Sequence, residues 1–131
     1  MTPMNLKQFS TACAATMIAI GSFSFSAQAQ TSTQKEKFFY AFVAVFKQKP
    51  QLPGDETALL EFAVMNDNQK QTLFDAGKTS CVALKAGISP EQILTMLKTN
   101  LNKQNYPKET YDLIWSSQVA ILRAANYAIC P

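Results

Sequence analysis

The apolar positions of this chain recur every three to four residues from Lys37 onward, and no stretch alternates convincingly at every second residue. That period belongs to helices with one buried face. The first such stretch, "KFFYAFVAVF", places Phe38, Phe39, Phe42, Val43 and Phe46 on one broad face. Ahead of it Thr33 and Glu36 stand as T-x-x-E, the spacing of a capping box. "KQKPQLPG" ends the helix with two prolines and a glycine. Asp55 is placed to cap a short second helix through "ETALLEFAVM", in which Leu59, Leu60, Phe62 and Ala63 are apolar. "NDN" (Asn66 to Asn68) can break the chain or cap the next helix, and a break is favoured.

A third helix follows with Leu73, Gly77, Cys81 and Leu84 on one face, which turns Cys81 inward. Gly77 costs about 1 kcal/mol relative to alanine inside a helix, so its place predicts close approach by a neighbouring helix. The sharpest boundary is "LKAGISPEQI". Gly87 suits the left-handed residue that closes a helix, because it has no Cβ to clash. Ser89 then caps the next helix, Pro90 takes its first turn, and Gln92 completes S-x-x-Q. Ile88 and Ile93 are spaced for a hydrophobic staple. The fourth helix carries Ile93, Leu97 and Leu101, widened by Leu94 and Met96. "NKQNYP" connects it to a last helix, opened by Pro107, with Tyr111, Ile114, Trp115, Gln118, Ile121, Leu122, Ala125 and Ile129. Ala120, Ala124, Ala125 and Ala128 permit tight packing there. The pattern predicts an all-α fold, a small bundle of four to five short helices.

The first thirty residues follow a different plan. Lys7 supplies a basic start, Ala12 to Phe23 a short apolar stretch, and Ala27 to Ala29 the small-x-small sequence that signal peptidase reads. This predicts a secretory signal over residues 1–29, cleaved near Ala29, and a single domain over 30–131 with a polar leader at 30–32. The apolar run falls short of the roughly 20 residues a spanning helix needs, which leaves an uncleaved anchor as the weaker alternative. Cys13 precedes its hydrophobic stretch and so does not read as a lipid-attachment site.

Cleavage leaves 102 of the 131 residues and takes the formal charge from +3 to +2, because Lys7 is the one charged residue of the leader. So small and scattered a charge carries no footprint for nucleic acid. Cleavage also removes Cys13, so three cysteines become a pair, Cys81 and Cys130. Outside the cytoplasm such a pair is normally oxidised. A disulfide between them would tie down the C-terminal segment; two free thiols, or a bridge between chains, are the alternatives.

Chemistry is scarce. The chain has no histidine, hence no general base of the usual kind and none of the commonest zinc ligand. A disulfide would leave the mature domain no thiolate. No serine stands in a nucleophile-elbow context. Glu109 and Asp112 could form a carboxylate pair, but acids near a helix start offset its macrodipole, and Asp55 and Glu56 read the same way. No catalytic residue, metal site or cofactor is therefore expected. Phe38, Phe39, Phe42, Phe46, Tyr111 and Trp115 remain as a possible binding face, with a plain core role as the competing reading.

Two segments resemble a known family. "DAGKTSCVALKAGISPEQILTML" is similar to the G-x-x-x-C-x-x-L-x-x-G-x-S core of a domain of unknown function found mainly in small secreted actinobacterial proteins, here Gly77, Cys81, Leu84, Gly87 and Ser89. The terminal "AANYAICP" resembles that family's closing pattern through Ala124 or Ala125, Tyr127, Cys130 and Pro131. The resemblance spans most of Lys37 to Pro131, and departs in a longer Lys- and Asn-rich region. It implies an exported helical domain with a Cys81–Cys130 disulfide, and no reaction. The sequence thus predicts a periplasmic or secreted, monomeric, non-enzymatic module that binds a protein or cell-envelope component. The alternative is a carrier of a small apolar ligand between its helices, and no membrane span is expected after cleavage.

Overall fold

The computed structural model describes residues 32–48 and 51–130. The proposed signal segment, the residues at its cleavage site and Pro131 lie outside them. Five helices make up the fold: α1 (Ser32–Phe46), α2 (Asp55–Ala63), α3 (Asp67–Lys85), α4 (Pro90–Asn102) and α5 (Lys108–Ala128). Among the described residues there is no strand.

The last helix is the hub. From Leu113 to Ala125 nearly every α5 side chain is buried, and α1, α2, α3 and α4 all pack on it. Its sequence allows this, because Ser116, Ser117, Ala120 and Ala124 present little bulk on the faces away from Trp115 and Gln118. Small side chains let neighbouring helices approach closely. α1 makes the most extensive of these contacts. Five of the largest buried side chains, Phe38, Phe42, Leu73, Phe74 and Ile121, come from α1, α3 and α5.

The turn between α3 and α4 follows the sequence residue by residue. Gly87 has φ +95°, and its N–H donates to the Leu84 carbonyl while that of Ile88 donates to Ala83. This paired closure is a Schellman motif. Ser89 Oγ accepts from the Gln92 N–H at 3.1 Å, and Gln92 Oε1 accepts from the Ser89 N–H at 3.0 Å. Pro90 fills the first helical position.

Three other ends differ from the sequence reading. α1 is already helical at Ser32, which puts Thr33 inside its first turn instead of at the cap. α2 is preceded by Gly54, with no side-chain cap; Asp55 is its first residue, and its carboxylate reaches back to accept the Leu52 N–H at 2.8 Å. The acid is thus spent on the incoming loop. At "NDN" the structure makes a cap: Asn66 and Gln69 exchange hydrogen bonds at 2.9 Å as a full capping box, and α3 starts at Asp67. Asparagine is as good at this position as serine, because its carboxamide oxygen reaches the same N–H.

Cys81 and Cys130 form a disulfide with a Cα–Cα distance of 5.1 Å. The bond fastens the segment just after α5 to the C-terminal part of α3. The closing turn is further held by the Ala125 carbonyl, which accepts from both the Ile129 and Cys130 N–H groups. Cys81 Sγ lies 3.9 Å from that same oxygen. A disulfide sulfur has no proton to donate, so this is a packing contact.

Candidate functional site

The four phenylalanines of the predicted binding face come together, but inside the molecule. Phe38, Phe42 and Phe46 are buried and Phe39 is half-buried. Phe42 meets Phe46 and Phe62 with ring centroids 5.0 Å apart, and Phe38 meets Phe74 edge-on at 5.6 Å. Edge-on and tilted pairs at such distances suit the ring quadrupoles and add to area burial. Their burial matches the core role that competed with the binding one.

Lysines cover the outer side of this cluster. The Lys78 and Lys35 ammonium groups stand 5.2 and 6.0 Å from the Phe74 centroid, and Lys70 stands 5.1 Å from that of Phe62. A cation over a ring face is stabilising, and the lysine stems shield apolar surface from water.

Tyr111 and Trp115 lie on α5, half-buried against the core, and no ring pair joins them to the phenylalanines. Lys98 of α4 sits 5.5 Å above the Trp115 ring. The turn residues occupy their predicted places at the α3–α4 corner, where Gly87 and Pro90 are exposed and Ser89 is half-buried.

Two of the four carboxylates considered for acid–base work are engaged in structure. Asp55 holds Leu52, and Asp112 pairs with Lys108 at 2.8 Å. The hydrogen bond from Lys108 to Asp112, with the Coulombic attraction behind it, raises the lysine pKa above its ordinary value. Glu109 is exposed in the first turn of α5. Among the described residues no group of three or more potential ligands could hold a metal ion, and no helix is long and apolar enough to cross a membrane.

The unusual feature is Gln118. It is 0 % exposed, and both its Nε2 and its Oε1 lack a hydrogen-bond partner. Ser116, on another face of α5, has a buried hydroxyl that is also unpaired. By contrast Ser117 donates to the Leu113 carbonyl at 2.9 Å. Interior polar groups are nearly always paired, and each that is not costs about 1–3 kcal/mol. At 3.6 residues per turn, Gln118 shares its side of α5 with Ile114, Trp115, Ile121, Leu122 and Ala125. That stripe meets α4 where Lys98 covers Trp115, and α3 where Cys81 touches Ala125.

The periodicity had already put Gln118 on this buried face. What it did not convey is the weight of a lone amide there, although a polar residue set among isoleucine, leucine and alanine was the available sign. Also unsignalled were the exposed apolar side chains Tyr40, Leu60, Val64 and Tyr127. A helix of nine residues shows too few turns for periodicity to say which of its leucines faces out.

No protein-family model, no curated protein and no solved structure matches the chain.

Proposed function

We propose that the protein is an exported, non-enzymatic module that binds a protein or cell-envelope component through its outer surface. The observation that carries this reading is the pair Leu60 and Val64, four residues apart along α2 and its C-terminal cap, and 64 % and 66 % exposed. Residues at that spacing are neighbours on a helix surface. Adjacent exposed apolar groups mark contact sites more often than single ones do. Export is supported by the leader pattern of residues 1–29 and by the Cys81–Cys130 bond, since disulfides persist outside the reducing cytoplasm. The non-enzymatic reading is supported by the lack of histidine and by the use of both described cysteines and of Asp55 and Asp112 in structure.

A photo-reactive residue in place of Val64 tests it in the exporting cell. The expected result is a discrete adduct that is absent when the probe replaces exposed Gln104 and that disappears with Leu60→Lys. Equal labelling from both positions, or none, rejects the surface reading. A mass beginning at Gln30 checks export in the same sample.

A second reading, a carrier of a small apolar ligand held between helices, is favoured by one observation: the buried, unpaired amide of Gln118.

A further inference from the structure

We propose that the outer face of α2 docks against a basic amphipathic helix of another protein, one whose apolar stripe is flanked by lysine or arginine. This rests on the reading of Leu60 and Val64 as a contact site, and names the chemistry of the partner.

α2 has two unlike sides. At 3.6 residues per turn, Asp55, Ala58 and Phe62 fall on one side, and all three are buried. On the other side Glu56, Leu60 and Val64 follow one another a turn apart. Thr57 and Glu61 run along one flank of that row and Ala63 along the other. Leu60 and Val64 thus form a short aliphatic ridge that no element of the fold covers. A ridge of side chains four apart is the unit that seats in the groove between side-chain rows of a second helix.

Charge on this face has one sign. α2 contains Asp55, Glu56 and Glu61 and no lysine or arginine. Asp55 is buried and accepts from Leu52, so Glu56 and Glu61 are the charges left to the outer surface. Asp67, three residues beyond Val64, is exposed as well. The lysine seen against α2, Lys70, stands over Phe62, about 160° round the helix from Leu60. The face is therefore acidic although the chain as a whole carries +3.

An aliphatic ridge between acids selects its partner by sign. Lysine or arginine beside the partner's apolar stripe is attracted by Glu56 and Glu61, whereas an acidic helix or an anionic lipid surface is repelled. A helix of nine residues offers less area than a stable interface buries, so the contact is transient and weakens as salt rises.

The test uses the oxidised protein and two synthetic amphipathic helices of about four turns. One is built of leucine and lysine, and the other has glutamate in place of every lysine. Binding is followed by the Leu60 and Val64 methyl signals in ¹H–¹³C spectra. The lysine peptide is expected to shift both, and Leu60→Ser to weaken it by about tenfold. Glu56→Lys combined with Glu61→Lys is expected to weaken the lysine peptide by about fivefold or more and to let the glutamate peptide bind. That gain of binding separates lost charge from lost folding. If both peptides bind alike, or the reversal leaves the preference unchanged, charge does not choose the partner and the proposal falls. It falls also if the lysine peptide shifts neither methyl; a Val64 adduct in the exporting cell would then leave the contact reading standing. A dimer in sedimentation that Leu60→Ser dissolves would give the face to a second copy instead, and overturn the basic partner.

Discussion

The ring of Phe38 occupies the space that a side chain on Gly77 would need: a Cβ built there would lie 2.6 Å from the ring edge. α1 and α3 approach through this gap, and Phe38 is held in turn by Phe42 and Phe74. Gly77→Ala gains about 1 kcal/mol of helix propensity, yet overpacking a core typically costs about 1–3 kcal/mol. With Phe38 wedged among other rings, the steric side should prevail by about 1 kcal/mol. Chemical denaturation of Gly77→Ala, of Phe38→Leu and of the double variant checks this. The double variant should be more stable than the sum of the two losses predicts.

Gly54 makes a sharper case, because the obstacle is backbone. A Cβ there would overlap the carbonyl of Asp112 in the first turns of α5. Its φ of −94° and ψ of 2° suit other residues, so the constraint is space and not conformation. A helix turn cannot swing aside as a ring can. Gly54→Ala should therefore cost more than Gly77→Ala, on the order of 2–3 kcal/mol. A smaller loss than at Gly77, measured by the same denaturation, would contradict it.

The disulfide closes a loop between residues 49 apart in sequence. Restricting the unfolded chain in this way is worth about 4 kcal/mol on the entropy model, a large share of the roughly 5–15 kcal/mol that stabilises a domain. Adding reductant, or replacing Cys81 and Cys130 together with serine, should lower the thermal midpoint markedly. Far-ultraviolet circular dichroism with and without reductant reads it directly. An unchanged midpoint would mean that the end of α5 is held well enough by packing alone.

Gln118→Leu is expected to stabilise the protein. It replaces a buried donor and acceptor, both unpaired, with hydrocarbon of similar size, and should gain about 1–3 kcal/mol. The measurement is the denaturation midpoint at constant slope. A loss of stability would show that the amide finds partners in solution, and would remove the ground for a ligand site.

The local signals in this chain are dense, and most of the fold was legible from them. Ser89 with Gln92, Pro90 in the first turn and Gly87 at the left-handed position are choices made within a few residues, so they specify the α3–α4 corner without help from distant groups. The same holds for the five apolar periodicities that became five helices, whereas Cys81 and Cys130 stand 49 residues apart and meet only through the packing of α3 against α5. Local rules misread Thr33, Asp55 and Asn66, because several residues within one turn could each cap, and the path of the incoming chain chooses among them.

What the tertiary structure decided is which apolar surface faces in. Phe38 and Phe42 are as apolar as Leu60 and Val64, and hydrophobicity alone does not say which pair will be covered. Covering is settled by the geometry of four helices around α5, each taking one face of it. The same geometry seals Gln118. Periodicity placed the residue on the inner side, and only the closing of the helices around it buried the amide with no protein group to pair it.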